Sequence, residues 1–94
     1  MQLNLKGYNK MAKLESMMNI GKEMKIKLMS VGIYSAEDLV KTGSKEAFYL
    51  LKERYPNICL VHLYTLQGAI DNIEYNQLSN KIKCDLKKYS DRLK

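Results

Sequence analysis

The sequence runs to 94 residues, 46% hydrophobic and 28% charged, which fits one domain with enough apolar matter to bury a core. Its 16 Lys and Arg against 10 Asp and Glu leave a net +6, a balance that favours polyanions without reaching the charge of a disordered nucleic-acid tail. One proline and five glycines exclude a linker-like chain, and the cysteines Cys59 and Cys84 with the lone His62 exclude a disulfide framework and a zinc site. No stretch approaches the ~20 apolar residues of a membrane span, and Met1–Gly7 has no signal-peptide core. The expectation is a cytoplasmic chain with reduced thiols, no metal and no cofactor.

In chain order, residues 1–10 read as an extended or frayed lead-in, since Leu3 and Leu5 alternate with polar residues and Gly7 interrupts. A single helical domain is expected over 11–94. Its first helix, about 11–18, gathers Leu14, Met17 and Met18 on one side and breaks at Asn19-Ile20-Gly21. A second helix, about 22–30, aligns Met24, Leu28 and Val31, and Gly32 suits the left-handed residue that ends it. Ser35 then reads as an N-cap, with Glu37 and Asp38 in the first turn where the helix dipole favours anions. That third helix stops near Gly43. Ser44 reads as the cap of a fourth, about 45–55, with Ala47, Phe48, Leu51 and Tyr55 on its inner face and Pro56-Asn57 at its end.

The fifth helix, about 58–73, differs from the others. Cys59, Leu63, Leu66, Ile70 and Ile73 form one seam, and Leu60, Val61 and Tyr64 extend the apolar surface round the back, so this helix belongs at the centre. Gly68 inside it costs about 1 kcal/mol against alanine, and close approach by a neighbouring helix is expected there. A last helix, about 79–93, follows the cap Ser79 and buries Ile82, Leu86, Tyr89 and Leu93. Asp85 and Asp91 are placed for pairing along it. No strand pattern competes. The fold class is all-α, a compact five- to six-helix domain with its positive charge gathered in 1–43 and 79–94.

The most informative run is Leu14 to Leu39, LESMMNIGKEMKIKLMSVGIYSAEDL. A short helix, a small/polar–apolar–glycine turn and a second helix make a helix-hairpin-helix-like pattern. Ile20 is expected to point inward and staple the turn, and Gly21 to let the backbone come close to a ligand outside. The turn leads into a helix N-terminus whose free N–H groups and positive dipole suit a phosphate oxygen. Lys22 and Lys25 flank that oxygen and add charge. Asn19, Ile20, Gly21, Lys22 and Lys25 are therefore the candidate DNA-backbone-binding residues, with Lys81, Lys88 and Arg92 on the basic last helix as supporting contacts. The same residues also make a purely structural turn with a solvated lysine face.

Elsewhere, Tyr34 and Tyr49 look exposed and suit a protein interface, whereas Tyr55, Tyr64 and Tyr89 fall on or beside core faces. His62 borders the buried seam and reads as a packed, hydrogen-bonded residue. Catalysis finds no support: there is no nucleophile elbow, no phosphate-loop pattern and no HExxH. Asp71 and Glu74 fall near an exposed helix end.

MNIGKEMKIKLMSVGIYSAEDL, then Gly43 and Ala47, then LVHLYTLQGAI and Leu78, resembles the C-terminal domain of the TfoX/Sxy-type regulators of natural competence. Asn19-Ile20-Gly21, Leu28, Val31-Gly32-Ile33, Asp38-Leu39, Leu63-Tyr64 and Gly68-Ala69-Ile70 carry the likeness over about Leu14–Leu86. Met17-Met18 stands where that family is expected to have Leu-Pro, and Tyr75 near an expected tryptophan. The resemblance implies a helix-hairpin-helix-like domain linked to control of DNA-uptake genes. Full-length members carry an N-terminal α/β domain that this sequence does not contain, so the resemblance implies a free-standing accessory module. The expected function is a non-enzymatic regulatory module that contacts DNA weakly, without base specificity and with steep salt dependence. The alternative is a protein–protein adaptor, homodimeric in one form, that does not touch DNA. Neither a membrane nor a small-molecule substrate is expected as a partner.

Overall fold

Residues 13–93 are described by the computed structural model; the predicted lead-in and the start of the first predicted helix lie outside them. Within that span the domain is all-α, with five helices and no strand: α1 (Lys22–Ser30), α2 (Ala36–Thr42), α3 (Ser44–Arg54), α4 (Leu60–Asp71) and α5 (Asn80–Arg92). Single 3-10 turns stand at Leu14–Ser16 and Tyr75–Gln77.

Three helix ends follow directly from local chemistry. Gly32 takes φ +90° after α1, and its N–H donates to the Met29 carbonyl at 3.1 Å while the Ile33 N–H reaches Leu28 at 3.0 Å. This paired closure satisfies carbonyls that the helix leaves open, and it folds Ile33 back beside Leu28 in the core. Ser35 Oγ accepts from the Asp38 N–H at 3.1 Å and so caps α2. The Asp38 carboxylate in turn accepts from the Tyr34 N–H at 2.9 Å. At the head of α5, Ser79 Oγ accepts from the Ile82 N–H at 3.2 Å.

Other boundaries depart from the sequence reading. The helix expected over 11–18 is, within the described residues, only the Leu14–Ser16 turn, because Met17 is already extended and Asn19 turns left-handed. Ser44 does not cap α3: Gly43 holds the N-cap position, while Ser44 is buried and donates to Gln67 Oε1 of α4 at 2.5 Å. Helix α4 is shorter than expected. It begins after Cys59 and ends at Asn72, which is left-handed at φ 59°, so Cys59 and Ile73 fall outside the buried seam. Asp85 pairs across to Lys45 of α3 at 2.9 Å instead of within its own helix, whereas Asp91 does pair along α5 with Lys87 at 3.0 Å.

The core forms around α4, which packs against α3, α5 and the Tyr75–Gln77 turn. Leu63 and Leu66 are fully buried there with Leu28, Leu39, Phe48 and Leu51. Tyr55, Tyr64 and Tyr89 pack at the core's edge, whereas Tyr34 and Tyr49 are exposed. Among the described residues no helix is long and apolar enough to cross a membrane.

Candidate nucleic-acid interface

The predicted site residues are adjacent in sequence, but the structure gives them two different jobs. Asn19 faces inward. At φ 72° it occupies the left-handed region that asparagine tolerates better than most residues. Its Nδ2 donates to the Ile73 carbonyl at 2.9 Å and to that of Thr65 at 3.4 Å, while its Oδ1 accepts from the Tyr75 N–H at 3.4 Å. This amide lies over Gly68, where a Cβ would collide with Asn19 Nδ2 and the Ile73 carbonyl oxygen. The close approach expected at Gly68 is thus real, but it is made by one side chain and a loop carbonyl, not by a neighbouring helix. Ile20 is buried as expected.

Gly21 and Lys22 face outward. Gly21 is the N-cap of α1, is exposed, and has nothing within 4 Å of where a Cβ would stand. Its φ of −96° is open to any residue, so the fold itself does not demand glycine here. No side chain caps this helix, and the backbone N–H groups of Lys22 and Glu23 have no acceptor among the described residues. Lys22 is exposed and makes no ion pair among the described residues. Lys25 is engaged: its Nζ lies 2.9 Å from Glu15 Oε2. The hydrogen bond from Lys25 holds the Glu15 carboxyl below its ordinary range. That pair therefore persists at neutral pH and is lost only as acid protonates Glu15.

Beside the start of α1 lies an open hollow of about 500 Å³, bordered by Gly21, Lys22, Glu23, Lys27, His62 and Thr65. His62 is half-buried, and its Nδ1 accepts from the Cys59 N–H at 3.0 Å. An accepting Nδ1 leaves the proton of the neutral ring on Nε2, which has no hydrogen-bond partner among the described residues. The chain's one histidine thus steadies the head of α4 and borders the hollow. Sequence reasoning caught its packing role but not this second position. The Glu15–Lys25 pair was also missed, and only contacts across the fold reveal it.

The supporting basic residues stand elsewhere. Lys81 borders a second groove with Lys45 and Glu46 of α3. Lys88 and Arg92 lie close enough to Asp85 to help hold its carboxyl low, after the hydrogen bond and charge of Lys45. Helix α4 separates the two regions, presenting His62 and Thr65 to the start of α1 and Tyr64, Gln67 and Ile70 to α5. The structure does not bring Lys22 and Lys25 together with Lys81, Lys88 and Arg92.

The family model for the TfoX C-terminal domain matches residues 10–89. The chain belongs to that family. Among solved structures, this TfoX C-terminal domain is similar to an uncharacterized Listeria monocytogenes protein in a triclinic crystal form, with 36% identity and a TM-score of 0.84 over 87% of this chain and 93% of that one. A tetragonal form, described as a Listeria monocytogenes protein of unknown function, matches at 36% identity and a TM-score of 0.83, covering 86% of this chain and 99% of that one. No curated protein matches the chain.

Proposed function

We propose that this TfoX C-terminal domain is a non-enzymatic regulatory module that holds a nucleic-acid backbone weakly, and without reading bases, at the start of α1. One observation carries the reading: an exposed glycine that the fold does not require sits before the backbone N–H groups of Lys22 and Glu23 and the Lys22 ammonium, none of which has a partner among the described residues. A phosphate oxygen accepts from those N–H groups, the α1 dipole favours its charge, and Lys22 adds a cation. His62 borders the same hollow, and its Nε2–H is a further donor on this reading. Asn19 and Ile20 serve by holding the bend in place. Of the helix-hairpin-helix expected from the sequence, this reading uses only the bend and the second helix; the described residues before the bend form a 3-10 turn.

On this reading the contact is weak. With Lys25 held by Glu15 and α5 on another side of α4, one or two phosphates are contacted. Binding then falls near the weak end of the non-specific range, roughly 10⁻⁴ M, with a shallow log–log salt slope of about −1 to −2 in place of the steep one expected from total charge. Fluorescence anisotropy with a labelled duplex at low and physiological salt tests this. Lys22→Glu is expected to abolish binding, and Glu15→Gln, which frees Lys25, to tighten it about two- to fivefold. No binding at low salt, or binding indifferent to Lys22→Glu, would remove the proposal.

A second reading, protein contact including self-association, is favoured by the outer face of α1. Ile26 is 56% exposed and Met29 39% exposed there, with Tyr34 at 63% just beyond. It predicts a dimer in light scattering that dissociates on Ile26→Glu and ignores DNA.

A further inference from the structure

The groove between the start of α3 and helix α5 is the larger hollow, about 840 Å³ and open along one side. Its floor is apolar: Val40, Ile70, Ile82 and Tyr89 are half-buried, and Leu86 is buried. Along α5 the lining residues Ile82, Leu86 and Tyr89 recur at helical spacing, so the groove follows that helix for about two turns, roughly 11 Å at 1.5 Å per residue. The polar atoms at its base are already satisfied, since Ser44 donates to Gln67 and Gln67 donates to Asp71 at 2.9 Å.

The rim decides what fits. Asp85 is neutralised by Lys45 at 2.9 Å, and Lys45 also sits 5.7 Å from the centre of the Tyr89 ring. Arg92 and Lys88 bear on Asp85, and Arg92 on Tyr89 as well, while Lys81 lines the edge directly. Among the described residues, Lys45 and Lys81 of the lining and Lys88 and Arg92 just beside it outnumber Asp85 and Glu46, and Asp91, which stands next to Lys88 and Arg92, is paired with Lys87. An apolar floor with a positive edge is complementary to an amphipathic helix whose apolar stripe is flanked by Asp and Glu. A second copy of this chain is a poor occupant. Its exposed apolar helix face, Ile26 and Met29 on α1, has Lys22, Lys27 and the Glu15-paired Lys25 beside it against Glu23, which leaves a net charge of the same sign as the rim.

We infer that the α3–α5 groove is a docking site for an acidic amphipathic helix of a partner protein. This inference goes beyond nucleic-acid contact at α1 and stands independently of it. On this account the domain has two working surfaces, separated by α4.

The test uses the full chain and two synthetic fluorescent helical peptides. Both carry leucine at i, i+3, i+4 and i+7; one has glutamate at the flanking positions and the other lysine. The glutamate peptide is expected to bind and the lysine peptide to bind at least about tenfold more weakly. Lys81→Glu, Lys88→Glu and Arg92→Glu together are expected to reverse that preference, with circular dichroism confirming that the helices persist. Equal binding of both peptides by the unaltered chain would overturn the inference, because it needs no altered protein to fold. So would failure of the glutamate peptide to bind, or duplex DNA competing it off.

Discussion

Asn19 makes three hydrogen bonds through its side-chain amide. The amide joins the bend before α1 to the Thr65 carbonyl in the middle of α4, to the Ile73 carbonyl just past its end and to the Tyr75 N–H. Gly68 provides the room, since any Cβ there would meet Asn19 and the Ile73 carbonyl oxygen. The consequence is measurable by urea denaturation. Gly68→Ala is expected to cost about 1–3 kcal/mol through overpacking. Asn19→Gly, which keeps the left-handed backbone accessible but removes the amide, is expected to cost about 1–2 kcal/mol in lost hydrogen bonds. Together they are expected to cost less than their sum by about 0.5 kcal/mol or more, because the glycine variant clears part of the collision. Full additivity would mean that the two residues do not meet.

At the scale of elements, boundaries written by local chemistry were legible, and those written by distant contacts were not. Ser35, Ser79 and Gly32 act through bonds to residues a few positions away, so their roles follow from the sequence alone. Ser44 has the same side chain as the two caps, yet burial against α4 gives its hydroxyl a better partner in Gln67. Met17 and Met18 looked helical because they fall on one apolar side with Leu14, but the chain must turn at once to bring Asn19 onto α4. Gly21 and Gly32 make the distinction testable by thermal unfolding. Gly32→Ala forces a side chain into φ +90° and is expected to destabilise by about 1–2 kcal/mol. Gly21→Ala, at an ordinary φ with open space around it, is expected to leave the melting midpoint nearly unchanged. Equal losses would mean that Gly21 has a structural role after all.

For the whole molecule, net charge is a poorer guide than its placement. Lys81, Lys83, Lys87, Lys88 and Arg92 make α5 the most basic helix, yet Lys81, Lys88 and Arg92 line hollows other than the one beside the bend, while Lys83 is tied to the Asn76 carbonyl. The Asn19-Ile20-Gly21 signal located the right turn and the right helix start. It did not show that Asn19 turns inward or that Glu15 holds Lys25, because both depend on which elements the fold brings together. The central claim is that the open end of α1 meets phosphate. Its most direct test is a titration of the isotopically labelled chain with a short duplex at low salt, following each backbone N–H by NMR. The largest shifts are predicted at Lys22 and Glu23, with a smaller one on the His62 ring, and α5 unmoved. Shifts concentrated along α5, or none near Gly21 at saturating duplex, would contradict it.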